Sequence, residues 1–298
     1  MIVPFTSTEG AAPPRSGIQA EAQQTLAPGA LLLYPCALDP ASDPDDCLPA
    51  GVMRRLHGTR HFVVENCRSA RRWLARCKWP HPLAQAQMID WNEHHDEQAD
   101  VLAAYTAQVL AWLRSGNDVG LLSEAGVPAV ADPGSHLVAQ VHEAGLQVVP
   151  LVGPSSLLMA LMASGLNGQR FEFAGYLPAK TEGRQAALRS LETRCRRDGI
   201  SAVWIETPYR NDAMLATALD CLQHDTLLSV ACALGSPMQR IRRLTVQGWK
   251  AEHWRPGKSP AVFVMGYPGK REAKAWSGET SPRGLEAQRK RASRASNS

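Results

Sequence analysis

Residues able to do chemistry are densest over residues 121–134, which read Leu-Leu-Ser-Glu-Ala-Gly-Val-Pro-Ala-Val-Ala-Asp-Pro-Gly. Ser123, Glu124 and Asp132 bring hydroxyl and carboxylate groups, while Gly126 and Gly134 let the backbone approach a ligand closely. A bland alternative leaves an ordinary loop in which Asp132 caps the next helix and Pro133 opens it. A second loop, residues 150–156, turns through Gly153-Pro154 and offers Ser155 as an N-cap. Neither loop carries a GxGxxG or phosphate-loop pattern, so no nucleotide phosphate is indicated.

Two further groups carry charge. Arg68, Arg71, Arg72 and Arg76 recur at helical spacing, and with Lys180 and Arg184 would suit a phosphate backbone; a solvated helix face explains the stripe equally well. The stretch 91–98, Trp-Asn-Glu-His-His-Asp-Glu-Gln, has metal-like residue types. Adjacent His94 and His95 do not share a face, however, so a polar loop capped by Asp96 is expected and no metal. Met159 and Met162, three apart on a helix, read as core.

The elements that must position these loops alternate. Short apolar runs at 31–34, 61–64, 88–89, 118–122 and 146–151 read as strands, and 97–114 and 132–145 as helices between them. That alternation predicts an α/β fold with a largely parallel sheet, whose ligands sit at the carboxyl ends of its strands. After a junction at 152–154 and a helix over 155–164 comes a second half. Strands at 171–177 and 202–206 alternate there with helices at 184–197 and 211–223. Strands at 227–233 and 241–246 then adjoin with no room for a helix, and 261–265 closes, so this sheet should be mixed. The expected division is a leader 1–28, an N-terminal domain 29–152, a C-terminal domain 153–267 and a basic tail 268–298.

Composition narrows the class. The 298 residues carry a formal charge of +4, but 268–298 hold eight basic and three acidic residues, so the remainder stands at −1. Net charge is therefore no argument for nucleic acid, and any such contact must come from local stripes. No apolar run reaches the roughly 18 residues of a membrane span. Seven scattered Cys without a CxxC pair, and no signal peptide, fit reduced thiols in the cytoplasm.

Taken together the motifs resemble the tetrapyrrole-methylase-like (class III) S-adenosylmethionine-dependent methyltransferases, nearest to the branch that methylates cytidine 2′-hydroxyls of small-subunit rRNA. Its Ser-Asp-Ala-Gly-x-Pro-x-x-x-Asp-Pro-Gly loop stands here as Ser123 to Gly134, and its Pro-x-x-Gly-Pro loop as Pro150 to Pro154. Phe171, Gly175-Tyr176-Leu177-Pro178 and Lys180 match a third motif, Glu206-Thr207-Pro208-Tyr209-Arg210 a fourth, and Glu65-Asn66-Cys67-Arg68 a fifth. Two stretches depart. The family's Thr-Pro-Ile-Gly-Asn-Leu reads Tyr34-Pro35-Cys36-Ala37-Leu38, and Ala231 to Gly235 replaces an Arg-Glu-Leu-Thr-Lys segment.

The resemblance implies two α/β domains, a homodimer, and S-adenosylmethionine in the cleft between the domains. It places the cofactor against Tyr34, Pro35, Ser123, Ala125, Gly126, Asp132, Pro133, Gly134, Gly153, Pro154 and Ser155. A ribose hydroxyl must lose its proton, for which Glu65, Glu124 and His94 are the catalytic candidates. Arg68, Arg71, Lys180 and Arg210 are the candidates for substrate RNA. Two other readings stay open on the sequence: a methylase of the same fold acting on a tetrapyrrole or other small molecule, and a non-catalytic S-adenosylmethionine- or RNA-binding protein.

Overall fold

The computed structural model describes residues 27–91 and 99–267. The stretch holding His94 and His95, the leader up to residue 26 and the basic tail lie outside the described residues.

The first half is an all-parallel sheet of β1 (Ala30–Tyr34), β2 (His61–Val64), β3 (Gln87–Asp90), β4 (Val119–Leu122) and β5 (Gln147–Pro150), in the order β3-β2-β4-β1-β5. Helices α1 (Pro44–Cys47), α2 (Ala50–Gly58) and α3 (Cys67–Arg76) follow β1 and β2, while α4 (Ala99–Arg114) and α5 (Ser135–Glu143) follow β3 and β4. Strand parity decides which side chain meets which helices. Leu32 and Tyr34 join Val52, Leu56, Ala70 and Leu74 beneath α2 and α3. Leu31 joins Val109, Leu113, Leu137 and Val141 beneath α4 and α5.

The second half is a mixed sheet of β6 (Phe171–Tyr176), β7 (Ser201–Glu206), β8 (Leu227–Cys232), β9 (Arg240–Thr245) and β10 (Ala261–Gly266), in the order β6-β7-β10-β8-β9. Only β6 and β7 run parallel. Trp204, Val230, Phe263 and Met265 face α7 (Thr181–Asp198), α8 (Asn211–Cys221) and α9 (Val246–Ala251). Val203, Ala231, Val262 and Val264 face α6 (Ser156–Ser164), which links the halves.

Several boundaries differ from expectation. Helix α5 starts at Ser135, because Ala131 and Gly134 take left-handed dihedrals (φ 60° and 111°) that no α-helix contains. Asp132 and Pro133 therefore stay in the loop. Ser155 stands at the N-cap of α6, but its hydroxyl makes no capping bond. Helix α7 starts three residues early and buries Arg184, whose guanidinium donates to Thr217 Oγ1 (3.0 Å), Ala179 O and Thr181 Oγ1. Arg184 is thus structural and withdrawn from any phosphate. The run ending at Val246 turns into α9, where Thr245 Oγ1 accepts from Gly248 N–H at 3.0 Å. Met162 points outward from α6 and is 81% exposed, so it does not belong to the core.

Candidate functional site

β1 and β4 are neighbours whose following connections run to opposite sides of the sheet. Such a switch point opens a crevice at the carboxyl ends of the strands. Here the loop after β1 and the loop after β4 exchange two backbone bonds, Cys36 N–H to Gly126 O (2.7 Å) and Gly126 N–H to Cys36 O (3.0 Å). Gly153 lies so close to the β1 loop that an added Cβ would sit 2.2 Å from Pro35 Cγ. The glycine at 134 is needed for its positive φ and for Leu121, whose Cδ2 would lie 2.8 Å from an added Cβ. These two glycines fit protein to protein and leave ligand approach to other residues. Ala129 and Ala131 are also left-handed, at roughly 1–2 kcal/mol each for a residue with a Cβ.

Between the two sheets lies a cavity of about 590 Å³. Leu38, Ile205, Ala231, Leu234 and Val262 give it apolar walls, and Asp39, Ser156, Glu206 and Thr207 add polar groups. A recess of about 110 Å³ adjoins it through Ser156, Tyr176 and Ile205, under Ala125, Gly126, Asp132 and Ser155. Size and lining match a small-molecule site, mostly apolar with a few convergent polar groups. Ser42 Oγ crosses the cleft to donate to Gly235 O at 2.8 Å, fastening the β1 loop to the second half.

On the other side of the β1 loop is a second pocket of about 220 Å³, lined by Glu65, Ser69, Arg72, Trp73, Arg76 and Glu124, among others. The N-terminus of α3 forms one wall, capped by Asn66 Oδ1, which accepts from Arg68 and Ser69 N–H. Ser69 Oγ donates to a Glu124 carboxylate oxygen, and Glu65 Oε1 accepts from Glu124 N–H at 3.2 Å. The Arg76 guanidinium lies 6.0 Å from the Trp73 ring and donates to Ser42 O. The Trp73 indole N–H is buried with no hydrogen-bond partner. Burial, with the Cys77, Glu124 and Glu65 charges adding to it, holds the Cys36 thiol well above its ordinary value, so it is no nucleophile.

The structure thus sorts the sequence candidates. Glu65 and Glu124 meet at one pocket, while Ala125, Gly126, Asp132 and Ser155 line the recess of the other. Ser123 faces the Glu65–Glu124 side, its hydroxyl donating to Gly126 O at 3.2 Å. Tyr34 points into the core, bonded to Thr59 Oγ1 at 2.9 Å, and burial pushes its hydroxyl up to about 12. Its side chain therefore has no access to a cofactor. Pro35 is buried against Gly153, and Pro133 and Gly134 shape the turn into α5. Pro154 lines a neighbouring groove with Leu38 and Gly235. Arg68, Arg71 and Lys180 are exposed. Arg210 is turned onto Glu206, its Nη2 2.6 Å from Oε1, so its charge is already met. Among the described residues no three His, Cys, Asp or Glu side chains gather to hold a metal ion.

Comparison with known proteins fits this geometry. The family model of the tetrapyrrole (corrin/porphyrin) methylases matches residues 57–248. The chain belongs to this family. As a tetrapyrrole-methylase-family member it is a methyltransferase. Ribosomal RNA small subunit methyltransferase I of Pseudomonas aeruginosa is 31% identical over 205 residues, 69% of this chain and 67% of that protein. Its Vibrio cholerae counterpart is 34% identical over 208 residues, 68% and 67% of the two chains. The crystal structure of the methyltransferase CobJ shares the fold, with a TM-score of 0.51, 18% identity, and coverage of 80% of this chain and 94% of that one. The family match begins inside α2 and ends inside α9, leaving out β1 and β10, which nonetheless sit inside their sheets.

Sequence reasoning missed part of the lining. Asp39 and Pro40 face the cavities beside Leu38 of the expected β1 loop, where Tyr34 and Pro35 were expected to. Strand parity held that signal, since Tyr34 shares the face of Leu32. Ser69 and Trp73 join Arg72 of the basic stripe at the smaller pocket because the N-terminal turns of α3 abut the β4 loop, a contact no local spacing reveals.

Proposed function

We propose that the chain transfers a methyl group from S-adenosylmethionine to a ribose 2′-hydroxyl of small-subunit ribosomal RNA. The observation that carries this is the pair of cavities on either side of the β1 loop: a large apolar one between the sheets, and a smaller one with carboxylates and guanidinium groups. Sites of different chemistry thus flank the same loop. The names of the two rRNA methyltransferase relatives support the choice of acceptor.

S-adenosylmethionine supplies a methyl group on a sulfonium, open to in-line displacement. Leu38, Ile205, Leu234 and Val262 would hold its apolar surfaces, and Asp132, Ser155 and Ser156 its polar ones. Glu124, fixed by Ser69, is the group placed to take the acceptor's proton, with Glu65 holding the Glu124 backbone. Much of the acceleration comes from holding the acceptor in line. Arg68 and Arg71 on α3, and Lys180 across the cleft, face the RNA phosphates; Arg210 serves indirectly, by holding Glu206. The domains divide at 152/153. The enzyme works in the cytoplasm as a homodimer.

Mass spectrometry of rRNA nucleosides from a deletion strain tests the reading. One 2′-O-methylcytidine should disappear from the small subunit and return on complementation. An unchanged nucleoside profile discards the rRNA substrate.

A further inference from the structure

The second half carries an exposed aromatic ring on a rigid mount. Tyr209 is 83% exposed, the most exposed of the large hydrophobic side chains among the described residues. It sits in a single 3-10 turn, Pro208–Arg210, at the carboxyl end of β7. On one side of the turn, buried Glu206 accepts from Thr207 N–H (2.7 Å) and from Arg210 Nε (2.8 Å). On the other, fully buried Asn211 donates to Gly257 O (3.0 Å) and Ser259 O (2.7 Å), and Asp212 Oδ1 accepts from Gly257 N–H (2.9 Å). Those bonds tie the 257–259 turn to the start of α8 and set Lys258 Nζ 5.5 Å from the Tyr209 ring centre.

The place is significant. β6 and β7 run parallel, and β10 enters antiparallel with Ala261 opposite Glu206. The loops bearing Lys180, Tyr209 and Lys258 therefore share one end of the sheet, and Glu206, Thr207 and Pro208 line the interdomain cavity beside them. The ring stands in water with a cation beside it, and its mount has lost the freedom to bury it.

We propose that Tyr209 is a stacking platform for an unpaired base of the RNA substrate, with Lys258 and Lys180 meeting the adjoining phosphates. This rests on the RNA reading above and adds a second contact, across the cleft from the arginines of α3. An aromatic face with cations beside it is what single-stranded RNA recognition uses, because every base offers a π face. Lys258 Nζ lies over the ring, which is nonetheless 83% exposed, so a base would stack on the open side with the cation close enough to meet its phosphate.

The experiment measures binding of the full-length protein to unmethylated small ribosomal subunits from a deletion strain, alongside S-adenosylmethionine affinity by calorimetry. Tyr209→Ala should weaken subunit binding on the order of tenfold, whereas Tyr209→Phe, which keeps the ring, should bind as wild type. Lys258→Ala should weaken binding less, and most at low salt. Cofactor affinity should stay unchanged in all three. Wild-type binding by Tyr209→Ala, or a loss in Tyr209→Phe equal to that in Tyr209→Ala, overturns the platform. A shift of Tyr209→Ala to monomer in sedimentation would place the ring in a protein interface and overturn it too. Failure of the wild-type protein to bind small subunits overturns the rRNA reading itself.

Discussion

Glu124 is held from three directions at the smaller pocket: by the Ser69 hydroxyl, by Glu65 on its own N–H, and by the strained loop that follows it. A glutamine there keeps the shape and can still accept from Ser69, but cannot take a proton. Glu124→Gln should therefore lower the single-turnover methyl-transfer rate about 10²–10⁴-fold, with S-adenosylmethionine affinity by calorimetry unchanged. A rate within a few-fold of wild type would remove the residue from proton transfer. Glu124 is legible as a candidate because it stands in a Gly- and Pro-rich loop between a buried strand and a helix, where the resembled motif carries Asp. The resemblance sets Tyr34 against the cofactor with the rest of the β1 loop, but strand parity sends its side chain into the core. Arg210 and Arg184 looked like free cations in one dimension; their partners Glu206 and Thr217 lie on other turns or other helices.

Among the elements, the loops after β1, β4 and β5 work as one packed unit. Gly153 is its tightest point, with Pro35 Cγ 2.2 Å, Pro35 Cβ 2.5 Å and Leu48 Cδ2 3.2 Å from an added Cβ. Gly153→Ala must push the β1 loop away from α6, because a proline ring cannot swing aside. We expect a loss of about 1–3 kcal/mol, read as a melting temperature several degrees lower, and S-adenosylmethionine binding weakened roughly tenfold. An unchanged melting temperature would show that the β1 loop yields freely. The strands carrying these loops were legible, since short apolar runs bounded by turn residues admit little else. Helices α2 and α9 were not. Ala50–Gly58 starts without a side-chain cap, and the six residues of Val246–Ala251 are too few for a period to show.

At the scale of the whole molecule, one face of the second sheet is incompletely covered. Helix α6 lies over β8 and β10, burying Ala160 and Leu161, but turns Leu158 and Met162 outward. Strand β6 is an edge strand, with Glu172 engaged by Arg194 of α7 on one face and Phe171 and Phe173 exposed on the other. Val152, on the segment between the halves, is exposed as well. Met162 stands beside Ile241 of β9 and the two phenylalanines stand on β6, at opposite edges of the sheet, so these are separate exposed apolar patches, of a kind that favours association. A second copy of the chain seated on α6 would cover Leu158 and Met162, and closed two-fold symmetry is the commonest arrangement for such self-association. Met162→Glu places a charge in the α6 patch at little cost to the monomer, because the side chain is 81% exposed. Sedimentation should show a wild-type dimer and a Met162→Glu monomer with an unchanged far-ultraviolet spectrum. A variant that stays dimeric would move the interface elsewhere. The charge change lies on α6, away from the carboxylates of the smaller pocket, so retained S-adenosylmethionine binding in the monomer would show that each chain builds its own cofactor site.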